Sequence, residues 1–487
     1  MTNLRIAAKS SAHWLTAGQR AALNASADRA KAWTELVLDA AALAAAYVVA
    51  FDATPDGVTL AEGALTFLWL PAAVLFGVVC LAVADAYANR RPLVESVFAS
   101  IAAPVKGSLA GATLFVLVRV LSGSAVCAHS GFAFICGAVL SITAERVSLQ
   151  LLLNAARYAG YGIRRILLVG PTGAVRDVAA QLKERLAPGL TVAGTLAVDL
   201  RGDAPLATVL ARVAEAVNRF EATDILVLDP ALEARDVSLL AGGLRGVARV
   251  RVASSKLLAL AGTAGLPFDN VGNVAAVEFG AGAPSRLERG VKRAFDRAFS
   301  FAALIALLPL WALLIPLLLI AQGRPVFFRQ TRTGGNGRRF VFFKFRTMVN
   351  GADRRIGDPD IRSRNVVRGP MFKCPSDPRV TRVGAWLRRF SIDETPQFIN
   401  ALRGDISVVG VRPPLPEEVD NYEEWHRARL SGWMGITGLW QVSGRSDLDF
   451  DEIVLLDLYY NSNFSLAQDT KIVWKTVGAV LGTRGAY

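Results

Sequence analysis

The sequence predicts a mixed membrane α and α/β protein. It has a four-helix transmembrane bundle, an α/β domain with a parallel sheet, and a small α/β unit carried on a re-entrant membrane hairpin. Three observations lead there. Several apolar runs reach 18 residues or more, enough to cross a bilayer as helix. Between residues 162 and 275, short β-type runs alternate with alanine- and leucine-rich helical stretches. Residues 325–487 are instead dense in arginine, glycine, tryptophan and paired acids. A length of 487 residues accommodates two or three such units.

Residues 1–32 form a polar, basic tail without the apolar core and cleavage site of a signal peptide. Within 33–155, apolar segments fall at about 33–51, 64–84, 98–121 and 127–153. The loop 52–63 carries Asp52, Asp56 and Glu62 and no cation, whereas Arg90 and Arg91 follow the second segment. The loop 122–130 lacks Lys and Arg, and Arg157, Arg164 and Arg165 follow the fourth segment. This alternation places both ends of the bundle in the cytoplasm. Segments three and four are the less regular, because Lys106, Arg119, Glu145 and Arg146 interrupt or flank them. The formal charge of +13 suits an anionic lipid surface or anionic soluble substrates, and by itself also fits nucleic acid. The four cysteines and three histidines form no ligand cluster, so no disulfide framework or zinc site is expected.

Residues 160–280 predict a Rossmann-like unit with strands near 165–170, 191–198, 224–229 and 248–253. The turn Gly170-Pro171-Thr172-Gly173 is Gly-x-x-Gly without the three-glycine dinucleotide spacing, so a structural or regulatory role is favoured over a bound dinucleotide. Residues 286–324 begin as a basic amphipathic stretch and continue as the apolar run Phe301 to Ala321. Pro309 and Pro316 interrupt the run, and both flanks are basic. That predicts a helix–break–helix hairpin, bent at Pro309, that enters and leaves one leaflet; a kinked full span is the alternative.

In residues 325–487 the centre is Arg388-Arg389-Phe390-Ser391-Ile392-Asp393-Glu394-Thr395-Pro396-Gln397. Thr395-Pro396 reads as an N-cap with proline at the first helical position, opening a helix over 397–403 that stops at Gly404. Adjacent carboxylates beside arginines suggest one group that attacks or holds metal, next to cations that hold an anionic substrate. The plainer reading is a capped surface helix with ion pairs. Around this stretch lie Phe343-Lys344-Phe345-Arg346, Asp377-Pro378-Arg379, Gly410-Val411-Arg412-Pro413, Gly438-Leu439-Trp440-Gln441 and Leu456-Asp457.

These motifs, in this order over residues 289–487, closely resemble the bacterial sugar transferase family, the monotopic polyprenyl-phosphate glycosyl-1-phosphate transferases. The whole layout resembles the long-chain members, and the C-terminal block looks most like the galactose-transferring ones, with the glucose-transferring ones nearest to them. The resemblance implies transfer of a hexose 1-phosphate, galactose 1-phosphate first, from a UDP-sugar to undecaprenyl phosphate, releasing UMP. Asp393 would be the nucleophile and form a covalent phosphosugar intermediate, with Glu394 and Asp393 holding Mg2+. Lys344, Arg346, Arg379, Arg382, Arg388, Arg412, Gln441, Arg445, Asp457 and Asp469 would serve substrate binding. Trp440 is expected in the core or at an interface. The family pattern departs here at Leu308, Val411 and Met434, where it carries serine or proline. The resemblance also implies a cytoplasmic-membrane protein of O-antigen or exopolysaccharide synthesis, with its soluble units in the cytoplasm. The middle domain shows no evident chemistry and could act in assembly, so a homo-oligomer such as a dimer is one arrangement, and no nucleic-acid partner is expected. Readings from other classes are a membrane-anchored dinucleotide sensor and a scaffold for polysaccharide assembly.

Overall fold

The computed structural model describes residues 17–52, 69–84, 97–122, 128–159, 163–185, 190–200, 206–244, 247–271, 273–279, 284, 286–352, 358–364, 369–371, 374, 377–444 and 448–481. The loop charges Asp56, Glu62, Arg90 and Arg91, and the candidate Arg445, lie outside the described residues.

Among the described residues four helices come first: α1 (Ala17–Asp52), α2 (Leu70–Val83), α3 (Val97–Leu121) and α4 (Ala128–Tyr158). Each of α1 and α3 packs against both α2 and α4. Their shared core includes Leu43, Tyr47, Leu81, Phe115, Phe134 and Ile142. Tyr47, Phe115 and Phe134 meet edge to face at 5.6–5.8 Å, the geometry aromatic quadrupoles favour. Trp33–Phe51, Ile101–Leu121 and His129–Tyr158 are long and apolar enough to cross a membrane; the apolar stretch Leu70–Leu81 is shorter. The charges in the third and fourth segments leave their helices unbroken. Arg146 pairs with Asp39 at 2.6 Å and Glu35 at 3.2 Å on α1, and Arg119 lies over the rings of Phe51 and Trp69.

The α/β domain follows as β1 (Arg164–Gly170), α5 (Thr172–Arg185), β2 (Leu190–Ala197), α6 (Leu206–Arg219), β3 (Asp224–Leu228), α7 (Ala234–Gly243), β4 (Arg249–Ala253), α8 (Ser255–Ala264), β5 (Asp269–Val271) and β6 (Val274–Phe279). The sheet order is β2-β1-β3-β4-β6-β5. The first four strands are parallel and sit within a residue of their expected limits. The antiparallel β5–β6 extension is the addition that a purely parallel reading lacks. All of β3 is buried, as apolar helices on both faces require. A Cβ at Gly170 would stand 2.4 Å from the Leu228 carbonyl oxygen, so the packing of β1 beside β3 accounts for this glycine. Arg251, fully buried on β4, is matched by Asp224 at 2.6 Å, Asp269 at 2.9 Å and Glu278 at 2.7 Å.

Next comes α9 (Arg286–Gln322), whose stretch Glu288–Gln322 is long and apolar enough to cross a membrane. The structure carries helix through Pro309 and Pro316, and the break expected at Pro309 is absent. Proline removes one N–H and crowds one carbonyl, which a helix can absorb as a local bend. Near its start, Lys292 is fully buried, with Nζ 2.9 Å from Asp296 and 2.6 Å from Asp469. Asp296 also accepts hydrogen bonds from Ser407 Oγ at 2.7 Å and the Val408 amide at 3.1 Å. Towards the far end, Leu314 and Leu318 pack with Phe345 and Leu387. Both ends of α9 therefore touch the same C-terminal unit, while Phe301, Ile305 and Leu308 between them are exposed.

That unit contains the hairpin β7 (Phe327–Thr333) and β8 (Arg339–Phe345), the short helix α10 (Pro359–Arg362), then α11 (Arg382–Arg389), α12 (Gln397–Arg403), β9 (Ser407–Val409), α13 (Pro416–Asp420), β10 (Gly435–Thr437), α14 (Phe450–Ser462) and α15 (Leu466–Leu481). β9 and β10 pair in parallel. The unit is not isolated, because one apolar core runs from Val227, Val252 and Phe279 of the sheet to Trp440, Tyr459 and Ile472. The Asn463 side chain donates to the Glu278 carbonyl oxygen at 2.9 Å across the same contact.

Removing one partner of a buried ion pair strands the other charge, at a cost of about 3–5 kcal/mol. Lys292→Met is expected to lower the melting temperature of the purified protein by at least ~5 °C. The same change at Arg339, which is exposed, is expected to leave it within about 1 °C, both read by intrinsic fluorescence.

Candidate active site

The site is assembled from three pieces of backbone: the hairpin β7–β8, the turn between α11 and α12, and the loop after β9. The side chain of Asn400 on α12 joins the first two. It accepts from the Phe343 amide at 3.1 Å and donates to the Val341 carbonyl at 2.7 Å, which fixes α12 along β8. The antiparallel register sets Phe328 opposite Lys344 and Arg332 opposite Phe340. With a two-residue period, Arg332 and Lys344 then share one face of the hairpin.

Asp393 and Glu394 lie in a single 3-10 turn, Ile392–Glu394, entered through Ser391 in the left-handed conformation (φ 52°). The expected helix over 397–403 is present and ends at Gly404, whose φ of 84° suits glycine. Its cap differs from expectation. Thr395 is already helical in backbone angle, and Pro396 occupies the cap position. The Thr395 hydroxyl turns back to donate to the Ile392 carbonyl at 2.8 Å, because the preceding turn leaves that oxygen within reach.

Asp393 is buried (8% exposed), and Glu394 is half-buried with Oε1 3.2 Å from Arg412 Nη1. Burial and then the neighbouring Glu394 push the Asp393 carboxyl up to about 6, against the opposing pull of Lys344, Arg388 and Arg412. Lys344 is pulled down to about 8 by burial and by the adjacent Arg332, with Asp393 opposing. Its ammonium also lies 5.1 Å from the centre of the Phe328 ring. Burial lowers Arg388, whose Nε donates to Thr347 Oγ1 at 2.9 Å. Arg412 is raised, chiefly by Glu394. The structure thus brings Lys344, Arg388, Asp393, Glu394 and Arg412 into one electrostatic cluster. Such a cluster can hold a phosphorylated anion against a buried carboxylate.

Other candidates sit elsewhere. Arg346 caps the end of α9, donating to the carbonyls of Gln322, Gly323 and Arg324. Arg379 is chelated by Asp377 at 2.6–3.1 Å, next to Arg388. Arg382 is exposed at the first turn of α11. Gln441 lies in the turn Trp440–Val442, and Trp440 is in the core as expected. Asp457 and Asp469 are fully buried, paired with Arg429 at 2.6 Å and Lys292 at 2.6 Å, so the structure places neither in the cluster. Burial pushes both carboxyls up to about 6.

Arg332 belongs to the cluster but is not singled out by sequence. It is held by Gln330 Oε1 at 3.0–3.1 Å and the Pro413 carbonyl at 3.0 Å, and is pulled down to about 10 by burial and Arg412. Its alternation with Phe328 and Gln330 on one strand face is the signal that could have found it. Among the described residues no group of three or more His, Cys, Asp or Glu is arranged to hold a metal. Two adjacent carboxylates nevertheless fit Mg2+, which commonly takes one or two protein carboxylates and completes its shell with phosphates and water.

Comparison with known proteins matches residues 287–483 to the family model for bacterial sugar transferases. The galactosyl transferase CpsE of Streptococcus agalactiae is 47% identical over 166 residues, covering 34% of this chain and 36% of that protein. The exopolysaccharide production protein ExoY of Sinorhizobium fredii is 40% identical over 200 residues, covering 40% of this chain and 88% of that one. The undecaprenyl-phosphate galactose phosphotransferase of Salmonella typhimurium is 38% identical over 207 residues, 42% of this chain and 43% of that one. The chain therefore spans about a third of the streptococcal relative and most of the rhizobial one. The matched region contains the whole carboxylate–cation cluster, and on this likeness the chain belongs to the bacterial sugar transferase family.

Proposed function

We propose that the protein transfers a hexose 1-phosphate, galactose 1-phosphate first, from a UDP-sugar to undecaprenyl phosphate with release of UMP. The observation that carries the proposal is the buried Asp393 facing Lys344, Arg388 and Arg412, beside Glu394. An Asp393 oxygen attacks the sugar-linked phosphorus, and the bond from that phosphorus to the bridging oxygen of UMP breaks. An oxygen of the lipid phosphate then attacks the same phosphorus and returns Asp393 as a free carboxylate. Splitting the reaction lets a water-soluble donor and a lipid acceptor use the site in turn. Lys344, Arg388 and Arg412 hold phosphoryl oxygens and balance the charge that develops on them. Mg2+, held by Asp393 and Glu394, would add a further positive charge at the diphosphate.

Galactose as the sugar draws on the relatives' names, two of which concern galactose transfer; UDP-glucose is the alternative. That both ends of α9 touch one soluble unit supports a re-entrant seat in the cytoplasmic membrane rather than a span. With the four preceding helices as transmembrane anchors, the α/β domain and the C-terminal unit would both face the cytoplasm. The reaction would start a repeat unit of O-antigen or exopolysaccharide.

The test is UMP release from a panel of UDP-sugars with undecaprenyl phosphate and Mg2+ in nanodiscs. UDP-galactose is expected to be the best donor, and Asp393→Asn is expected to cut release about 10³-fold or more. Equal release by Asp393→Asn would overturn the attack by Asp393.

The two perturbed groups set a pH profile. Asp393 must be ionised to attack, and Lys344 must be charged to hold phosphate. Log kcat/KM is therefore expected to rise through about pH 6 and fall through about pH 8. Lys344→Arg should keep the acid limb and lose the alkaline one, because arginine stays charged.

A raised carboxyl pKa means that ionising Asp393 costs stability in the folded state. The native protein then binds more protons than the unfolded chain between about pH 4 and 6, and stability is lost as pH rises through that window. Asp393→Asn removes this cost. The inactive variant is expected to melt roughly 2–4 °C above wild type at pH 7.5, with the gain vanishing below about pH 4.

A further inference from the structure

We propose that Trp311 is a positioning residue, through which the apolar helix α9 sets the orientation of the turn that carries Asp393 and Glu394. The proposal rests on the reading of Asp393 as the attacking group.

The turn has little of its own to hold it. It is one 3-10 turn long and is entered through a serine at positive φ, a conformation that costs a residue with a side chain. Its backbone ties are Glu394 N to Ser391 O at 3.3 Å and Thr395 N to Ile392 O at 3.1 Å. Ser391 N also bonds Arg388 O at 3.0 Å, Glu394 pairs with Arg412 at 3.2 Å, and a further restraint comes through the Thr395 hydroxyl. That group spends its proton on the Ile392 carbonyl and accepts the Trp311 Nε1 hydrogen at 3.1 Å. Indole N–H is a donor only, so the direction of the bond is fixed.

Trp311 is itself held. Its ring meets Phe345 edge-on at 5.5 Å and Phe327 at 6.3 Å. Phe345 follows Lys344 on β8, so one indole braces the strand bearing the lysine and the turn bearing the carboxylates. Trp311, Leu314, Ile315 and Leu318 form the helical stripe of α9 that faces this wall, and Ile392 packs in the same cluster. A hydrogen bond in such apolar surroundings is costly to leave half-made. Attack at phosphorus tolerates little misalignment, and displacements of about 1 Å can cost ~100-fold in rate. The coupling also gives a membrane-seated helix a direct hold on the reacting group.

The test uses the full chain in nanodiscs and measures kcat and KM for UMP release together with the melting temperature. Trp311→Phe keeps a ring and loses the donor, Thr395→Val keeps the shape and loses the acceptor, and Thr395→Ser keeps the oxygen. Trp311→Phe and Thr395→Val are each expected to lower kcat about 10-fold with KM within about twofold. The double variant is expected to lose no more than either single, because one bond is removed in all three. Thr395→Ser should stay within about twofold of wild type. A wild-type kcat for Trp311→Phe, losses that multiply in the double variant, or a change confined to KM would overturn the proposal. If Trp311→Phe does not fold, Thr395→Val against Thr395→Ser decides it, since equal kcat in those two is also fatal. Asp393→Asn separates the two readings. If it is inactive while Trp311→Phe is fully active, only the positioning role fails; if it is as active as wild type, both fail.

Discussion

A carboxylate taken out of water must be met by positive charge, or it takes up a proton. The C-terminal unit is organised around that demand at Asp393, where burial and Glu394 push one way and three cations push the other. Each cation arrives on a different piece of chain: Lys344 on β8, Arg388 at the end of α11 and Arg412 in the loop after β9. Their separate origins explain why this region needs a rigid frame. Asn400 clamps α12 to β8, and Asp296 pins β9 through Ser407 and Val408. Arg332, on the hairpin face it shares with Lys344, is fixed by Gln330 and Pro413. None of these ties touches Asp393, yet together they determine what surrounds it.

The apolar helix takes part in the same frame. α9 begins with a buried lysine in a carboxylate network and continues with a stripe of large apolar residues against Phe345 and Leu387. Its exposed face carries Phe301, Ile305 and Leu308. One helix thus packs one surface against the C-terminal unit and leaves another, apolar surface exposed. The helix long and apolar enough to cross a membrane is also part of the frame of the site, and the two are not separable into an anchor and a cargo.

Much of this was legible in the sequence, for identifiable reasons. Strands with buried faces on both sides read as unbroken apolar runs, so β1 and β3 stood out. The helix before Gly404 was marked by proline at its start and glycine at its end. What escaped depends on contacts between segments far apart in the chain. The β5–β6 extension is short and half-polar. The hydroxyl of Thr395 looked like a cap until the preceding turn offered it the Ile392 carbonyl. Pro309 looked like a break because propensity weighs the lost N–H and not the packing on either side. Asp457 and Asp469 carried the residue types of a binding site, but each meets a buried partner, and Arg346 instead caps the end of α9; sequence spacing reveals neither. Arg332 was hidden among many arginines and is distinguished only by the strand face it shares with Lys344.

The apolar core common to the α/β sheet and the C-terminal unit bears on how genetic variation in this chain should be read. Two domains joined through Phe279, Tyr459 and the Asn463–Glu278 contact unfold as neighbours in one cooperative system, not as beads on a string. A lesion at Arg251, whose three carboxylate partners include Glu278, would weaken the support beneath α14 without touching any group that meets substrate. In a selection that scores the protein's activity alone, such alleles would be indistinguishable from active-site alleles. Only abundance or thermal data would tell the two kinds of loss apart.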